Sequence, residues 1–237
     1  MSSLVFLDLE TTGLDEKDRI CELSVIIDEE SKLSSKSSLC KPSKKISTEA
    51  MSIHHITNEM LKDMPKCIDT VAYNIVEKLN KAENIFIGHN ISFDIKMLEK
   101  EGLSFNAQYI DTLRCTRSLI PECDMFNLQY LRYELDLYKE ENSLAKDLDV
   151  KIQAHSSMSD ALHVKLLYQN LTQYATLSQL VEISSKPILL EKFSFGKYSG
   201  RYIEEIIEID ANYIAWMRQN IEDMDEDLKY TLSYYMR

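Results

Sequence analysis

The sequence predicts an α/β fold in which a mixed five-stranded sheet is flanked by helices. Three strand-like segments come first, at 4–10, 19–28 and 33–41, and the links between them are polar and turn-like. Helical segments then alternate with two short apolar strands, at 84–88 and 109–111. Consecutive strands followed by alternating helices and strands are typical of a mixed sheet rather than of a helical bundle or a sandwich.

The helices are predicted from apolar stripes and boundary residues. Residues 67–81 place six apolar side chains on one helical stripe, namely Ile68, Val71, Ala72, Ile75, Val76 and Leu79. Four further helices are predicted at 93–100, 112–119, 127–135 and 158–171.

Beyond residue 172 the chain changes character. A helix at 177–184 and a segment containing Pro187 form a linker, and a compact piece follows. Gly196 and Gly200 predict a tight β-hairpin there, and two or three acidic helices complete the chain. We therefore expect a first domain at 1–172, a linker helix at 173–191 and a small C-terminal hairpin-and-helices module at 192–237.

The composition excludes several classes of protein. The chain has 237 residues, of which 44% are hydrophobic and 28% charged, as is usual for a globular protein. It shows no secretory signal and no apolar run of the roughly 20 residues that span a bilayer, so we expect a cytoplasmic protein without membrane contact. The five cysteines form no CxxC pair, which indicates reduced thiols rather than a zinc site.

A net charge of −12 argues against a protein that coats nucleic acid by bulk electrostatics. The charge is unevenly distributed, because residues 31–48 hold five lysines and no acidic residue. Lysines protect the exposed edges of sheets, so an edge strand is slightly favoured over a surface that faces phosphates.

The most informative segment is the first strand, which ends in Asp8 and Glu10. Side chains alternate across a strand, so the two carboxylates point the same way. They repel each other and are costly to desolvate, and a divalent cation removes that conflict. Oxygen ligands of this kind suit Mg²⁺ or Mn²⁺ better than zinc.

Three other segments each have a local structural interpretation beside a functional one. Asn90 or Ser92 can cap the helix that carries Asp94. The helix dipole alone explains Asp160 in the first turn of its helix. Thr57 can cap a short helix, although the histidine-containing loop before it could instead clamp the end of a substrate.

Taken together, these segments resemble a known family, the DEDD exonucleases of the histidine subclass, and are similar to the proofreading subunit of bacterial replicative DNA polymerase. The family's first motif matches residues 8–13, its second matches 89–94, and its third matches His155 and Asp160. Residues 110–113 resemble its fifth strand running into a helix. The segments 51–57, 195–201 and 210–216 resemble the exodeoxyribonuclease X group, so the resemblance covers nearly the whole chain.

The resemblance implies a ribonuclease H-like fold and hydrolysis at two Mg²⁺ or Mn²⁺ ions. Four carboxylates would bind the metals: Asp8 as the bridging ligand, Glu10 and Asp160 in one or both shells, and Asp94 at the second metal. His155 would be the general base that takes a proton from the attacking water.

The resemblance also implies where the substrate lies. The terminal nucleotide would contact seven residues: Thr11, Thr12, Leu14, Glu49, His54, Asn90 and Phe93. The implied activity is 3′-to-5′ hydrolysis of DNA ends or single-stranded DNA, in repair.

Other interpretations remain open. A ribonuclease trimming RNA ends would use the same site. A proofreading module would dock on a polymerase or clamp, for which 179–181 gives only a faint signal. An inactive nucleic-acid-binding relative is disfavoured because all five catalytic side chains are present. In the C-terminal module, the aromatic residues can form a small core, whereas Lys197, Tyr198 and Arg201 could instead contact a single strand.

Overall fold

The sheet has the mixed architecture that the sequence predicts. The computed structural model describes residues 2–30, 32–153, 155–221 and 224–236. Its sheet has five strands in the order β3-β2-β1-β4-β5, in which β1–β2 and β2–β3 are antiparallel and β1–β4 and β4–β5 are parallel. The strands are β1 (Leu4–Thr11), β2 (Ile20–Glu29), β3 (Lys32–Leu39), β4 (Ile85–Gly88) and β5 (Gln108–Asp111).

The helices that flank the sheet and follow it are numbered in chain order. They are α1 (Thr48–His54), α2 (Val71–Leu79), α3 (Ile91–Lys100), α4 (Thr112–Leu119), α5 (Leu128–Glu134), α6 (Tyr138–Asp147), α7 (Ser157–Leu171), α8 (Leu177–Ser185), α9 (Ile203–Ile209), α10 (Ala211–Asn220) and α11 (Glu226–Tyr235). The sequence did not predict α1 or α6.

The helix predicted at 67–81 is shorter than expected. A 3-10 turn at Cys67–Asp69 precedes α2, and Thr70 between them is extended. The Thr70 hydroxyl accepts a hydrogen bond from the backbone N–H of Tyr73, so this residue caps α2 instead of lying within it. As a result Ile68 and Val71 are exposed and do not join the predicted stripe.

Both faces of the sheet are covered, which explains the continuous apolar run in β1. Phe6 packs into the cluster formed with helices α4 to α8, whereas Val5 and Leu7 face the cluster that includes residues of α2 and α3. Alternation along the strand sends neighbouring side chains to opposite faces. The polar residues at the end of β1 therefore interrupt a strand that is otherwise buried on both sides.

The two edges of the sheet are protected in different ways. β3 is one edge strand and carries Lys32 and Lys36, as the lysine-rich segment predicts. β5 is the other edge, where the backbone N–H of Asp111 donates to the hydroxyl of Ser184 in α8 at 2.8 Å. Leu180 of α8 is buried in the same cluster as Phe6, so this helix packs against the main core.

The C-terminal residues form a separate apolar cluster built mainly from α9, α10 and α11. The predicted hairpin is reduced to one bridge between Lys192 and Tyr202, with positive φ angles at Gly196 and Gly200. A Cβ atom at Gly196 would lie 2.5 Å from the Tyr213 hydroxyl, and a φ of 76° is strained for other residues, so both features favour glycine here.

The aromatic core expected in the C-terminal module is only partly present. Phe193, Tyr198 and Tyr213 pack in its apolar cluster. The other three aromatic side chains between residues 193 and 216 are about half exposed and lie on the surface: Phe195, Tyr202 and Trp216.

Lys197 and Arg201, which could have contacted a single strand, both have acidic partners within the module. Lys197 pairs with Asp210 at 3.0 Å, and Arg201 pairs with Glu205. The module also contacts the main core through Arg114 of α4, whose Nη2 lies 2.9 Å from Oδ1 of Asp227.

None of the helices in the described ranges is long and apolar enough to cross a bilayer. All five cysteines are buried free thiols.

Candidate active site

The site begins at the end of β1, where Asp8 and Glu10 share one side of the strand. Leu9 between them is buried on the opposite side. The pairing with β2 shifts by one residue after Glu10, because Glu10 faces Glu22 while Thr11 faces Ile20. Such a bulge bends a strand and redirects its side chains, and bulges are common beside active sites.

The third carboxylate comes from α7, which packs across β1 and β2. The Ser156 side chain does not cap this helix. Glu22 of β2 does so instead, because its Oε2 accepts from the backbone N–H of Ser157 at 3.1 Å. The hydroxyls of Ser24 and Ser157 lie 2.6 Å apart. These contacts fix the start of α7, and hence Asp160 in its first turn, against the strand that neighbours β1.

Asp8, Glu10 and Asp160 form a compact acidic cluster. Each offers a carboxylate oxygen within 4.8 Å of the others. Burial, followed by the charges of Asp160 and Asp94, holds the pKa of Asp8 well above its ordinary value. Burial and the charge of Asp160 raise the pKa of Glu10 to about 8.

The donor set fits a divalent cation. The described ion pairs include no lysine or arginine at Asp8 or Glu10, so protein cations do not neutralise these carboxylates. Half-buried oxygen ligands without a basic partner are the ligands that Mg²⁺ and Mn²⁺ prefer. The cluster therefore has the donor set that a divalent-metal site requires.

Asp94 lies beside this cluster but outside the group of oxygens within 4.8 Å. It is buried in the first turn of α3, directly after β4. Burial, and then the charge of Asp111, raises its pKa well above the ordinary value. Its charge also raises the pKa values of Asp8 and Glu10, which places it within electrostatic reach of both.

The side chain of Asn90 does not cap α3, although the sequence made it a candidate for that role. Asn90 occupies the cap position with a positive φ of 65°, but its side chain makes no capping bond. Its backbone N–H donates to Oδ1 of Asp111 at 3.0 Å, and the same oxygen accepts from the first turn of α4. Asp111 therefore joins the ends of β4 and β5, and the exposed Asn90 side chain faces solvent.

His155 occupies an exposed turn immediately before α7, with a φ of 53°. Among the described residues it is not part of the group of ligand atoms within 4.8 Å. The structure thus places it next to the helix that carries Asp160, and its role as general base stays a prediction.

Thr11 and Thr12 are buried, and their polar atoms have partners within the protein. The Thr11 hydroxyl donates to the Gly13 carbonyl at 2.7 Å. The Thr12 hydroxyl donates to Oδ1 of Asp18 at 2.5 Å, and its backbone N–H donates to the carbonyl of Arg19. These bonds fix the loop after β1, whereas Leu14 at its tip is 86% exposed.

His54 is a buried connection between α1 and β1, and not part of a mobile loop. Its Nδ1 accepts from the backbone N–H of Ile56 at 3.0 Å, so its Nε2 carries the hydrogen and donates to the Thr11 carbonyl at 3.2 Å. The prediction of a short helix after Thr57 is wrong, because residues 58–63 form turns. The helix of this region is α1, which lies earlier in the chain and is capped by Ser47.

The two remaining predicted substrate residues differ in exposure. Glu49 is exposed in the first turn of α1, and Phe93 is half-buried in α3. A cavity of about 650 Å³ lies to one side of the acidic cluster, between the 121–127 loop and residues 190–200. His89 lines this cavity, but none of the four acidic residues does.

The comparisons with known proteins agree with this geometry. Residues 5–168 match the family model described as "Exonuclease", and residues 193–222 match "Exodeoxyribonuclease X-like C-terminal". The chain therefore belongs to the exonuclease family of phosphodiester hydrolases that carry the DEDD motifs.

Two curated relatives illustrate the range of that family. The chain is 28% identical to Exodeoxyribonuclease 10 of Escherichia coli (strain K12), over 98% of both chains. It is 34% identical to DNA polymerase III subunit epsilon of Rickettsia typhi, covering 73% of this chain and 76% of that protein.

Solved structures share the fold. A structure of exonuclease X in complex with 5′ overhanging duplex DNA matches with a TM-score of 0.57 and 23% identity, covering 78% of this chain and all of that one. A structure of Escherichia coli exonuclease I with a dT13 oligonucleotide matches with a TM-score of 0.53 and 17% identity, covering 73% of this chain and 42% of that one. The ribonuclease H-like fold that the resemblance implied is thus confirmed.

Proposed function

We propose that this chain is a metal-dependent 3′-to-5′ exodeoxyribonuclease that releases nucleoside monophosphates from DNA 3′ ends and acts in DNA repair in the cytoplasm. The acidic cluster carries the proposal, because three carboxylates from β1 and α7 meet within 4.8 Å in a chain that has the exonuclease motifs in order. The exodeoxyribonuclease relative, which matches over the full length, supports DNA as the substrate.

The protein's own residues would perform two tasks at the scissile phosphate. Asp8, Glu10 and Asp160, with Asp94 beside them, would hold two Mg²⁺ or Mn²⁺ ions. Such ions would supply water activation and charge neutralisation at the phosphate. His155 accepts the proton of the attacking water at an imidazole nitrogen, since it lies on the turn that leads into α7.

Residues around the cluster hold the end of the strand. The exposed Leu14 and the half-buried Phe93 offer apolar surface to the terminal base and sugar. Glu49 and Asn90 are exposed and offer polar atoms to the terminal nucleotide. Thr11, Thr12 and His54 act by fixing the loop that forms one wall, because their own polar atoms are bonded within the protein.

The direction of digestion and the metal requirement can be tested together. A single-stranded DNA labelled at its 3′ end should release a labelled mononucleotide with Mg²⁺ and remain intact with EDTA. The same strand labelled at its 5′ end should give a ladder that shortens with time, and a circular single strand should survive. Asp8→Ala should abolish activity, while Glu16→Gln in the exposed loop nearby is the matched control. Cutting of the circle, or activity in EDTA, contradicts the proposal.

The alternative substrate is RNA, since the same cluster can hydrolyse both polymers. Matched DNA and RNA strands of one sequence, digested under the same conditions, distinguish the two. Faster digestion of RNA would replace the deoxyribonuclease assignment.

A proofreading role on a polymerase is a second candidate, favoured by the similarity to the polymerase III subunit. The faint clamp-peptide signal gives it little support, because Leu180 is buried in the main core and unavailable to a partner. Retention of polymerase or clamp by the immobilised chain would support this candidate.

A further inference from the structure

Asp160 belongs to a ring of five polar side chains, and the other four members lie outside the sequence motifs. The ring comprises Gln129 and Arg132 on α5, Glu141 on α6, and Asp160 and His163 on α7. Gln129 and Arg132 share one face of α5, and Asp160 and His163 share one face of α7, because three-residue spacing on a helix brings side chains together. The three helices therefore meet at a polar centre, beside the acidic cluster.

The firmest contact of the ring is between Arg132 and Glu141. The Arg132 Nε donates to one carboxylate oxygen at 2.6 Å and its Nη2 donates to the other at 2.7 Å. Both side chains are largely buried, and a two-pronged pair of this kind has one preferred orientation. This contact fixes α5 relative to α6.

Gln129 connects that pair to the metal site. Its Oε1 accepts from the Arg132 Nη1 at 3.3 Å, which turns its amide nitrogen towards Asp160. That nitrogen donates to the Asp160 Oδ1 at 2.8 Å. The two neighbours require opposite ends of the amide, so its orientation is determined by the contacts.

His163 closes the ring from the other side. Its Nε2 lies 3.0 Å from the Glu141 Oε2, and its Nδ1 lies 3.6 Å from the Asp160 Oδ1. The side chain is almost completely buried, and Nδ1 has no hydrogen-bond partner in the described part of the chain. Because the Glu141 carboxylate can only accept, Nε2 carries the hydrogen of this contact, and Gln129 is the residue of the ring that donates a hydrogen bond to Asp160.

We propose that Gln129, held in place by Arg132 and Glu141, is a positioning residue that orients the Asp160 carboxylate for a divalent cation. This inference rests on the proposed function, because it requires Asp160 to be a metal ligand. Partners that orient a ligand carboxylate typically change metal affinity 10–100-fold when they are removed. A purely architectural ring would change the stability of the fold but not the affinity of the folded protein for metal.

The test is direct Mn²⁺ binding to the purified full-length chain, measured by calorimetry and by the loss of the free-ion electron paramagnetic resonance signal. Gln129→Met removes the donor to Asp160 at nearly constant volume and should weaken Mn²⁺ binding about tenfold. Arg132→Lys keeps the charge but loses the two-pronged contact, and it should cause a smaller loss. Gln173→Met, at an exposed turn, is the matched control and should bind as the wild type does.

Thermal unfolding of the metal-free variants separates positioning from folding. Gln129→Met should melt within about 6 °C of the wild type, because it removes two partly exposed hydrogen bonds, one to Asp160 and one from Arg132. If it does not fold, Gln129→Asn, which shortens the reach by one methylene, replaces it with the same expected tenfold loss.

A double variant tests whether Gln129 acts through Asp160. In an Asp160→Asn background, Gln129→Met should cause no further loss of Mn²⁺ affinity, because the partner through which it acts is already changed. An equal loss in both backgrounds overturns the inference.

The remaining outcomes have distinct meanings. Affinity of Gln129→Met within twofold of the wild type overturns the positioning role and leaves the proposed function intact. Absence of Mn²⁺ binding by the wild type overturns the metal site itself, and with it both proposals.

Discussion

Replacing Glu10 with glutamine should stabilise the metal-free protein at alkaline pH and have little effect at acidic pH. Burial, followed by the charges of Asp160 and Glu22, raises the pKa of Glu10 from 4.5 to about 8 in the folded state. A carboxyl with a raised folded pKa stays protonated in the folded chain at a pH where the unfolded chain has already released the proton. The contribution of the Glu10 carboxyl to folding stability is therefore fully present below about pH 4.5 and is lost as the pH rises towards 8.

The size of the effect follows from the pKa difference. Each unit of pKa is worth about 1.4 kcal/mol, so the wild type should lose about 3 kcal/mol between pH 5 and pH 8 through this one group. Glu10→Gln carries no charge at either pH and should lose about 3 kcal/mol less over the same range. A catalytically inactive variant would thus be more stable than the wild type when no metal is present.

Urea unfolding in EDTA at several pH values, followed by circular dichroism, measures this difference. Glu16→Gln is the control, because Glu16 is exposed in the loop after β1 and its removal changes the total charge equally. Parallel stability curves for the wild type and Glu10→Gln from pH 5 to pH 8 would refute the electrostatic reasoning.

Three further predictions concern the surroundings of the site. Burial lowers the pKa of His89 to about 4, so folding stability falls as the pH drops below about 6.5. At pH 5 this loss is about 2 kcal/mol, and His89→Gln should abolish it. Urea unfolding at pH 5 and pH 7 measures the difference. Asp227→Asn leaves the Arg114 guanidinium without its carboxylate and should cost about 2 kcal/mol, seen as a lower urea midpoint, and an unchanged midpoint would contradict this. Adding Mg²⁺ at about 100 times its dissociation constant should stabilise the wild type by about 2.7 kcal/mol in thermal unfolding, and Asp8→Asn should lose most of that gain.

The parts of the fold that the sequence predicts are those with local signals. The apolar run of β1 and the spacing of Asp8 and Glu10 depend only on alternation along a strand, and both are found in the structure. The order of segments along the chain was sufficient for the mixed sheet. By contrast, α6 was missed because its sequence is strongly polar and only Glu141, Leu144 and Ala145 are buried in it.

The ring around Asp160 could not be predicted because its members lie on three helices. Gln129 and Arg132 have the spacing of an ordinary exposed helix face, and their burial arises only when α5 packs against α7. A single signal was available in the sequence, since Asp160 and His163 stand three residues apart on one helix and must share a face. The sequence also did not predict that the helix at 67–81 is interrupted. Its apolar stripe continues across Thr70, although the backbone of this residue is extended and ends the turn before α2.

The hydrogen bond from the backbone N–H of Asp111 to the Ser184 hydroxyl bears on whether separate molecules of this protein aggregate. An unpaired strand at the border of a sheet is a template to which another polypeptide can add, and such addition leads to aggregation. Here α8 packs against β5 at that border and occupies one of its backbone donors, while positively charged side chains on β3 repel a second copy at the opposite border. Growth by strand addition is thereby disfavoured at both ends of the sheet, even at the high protein concentrations used for crystallisation or spectroscopy.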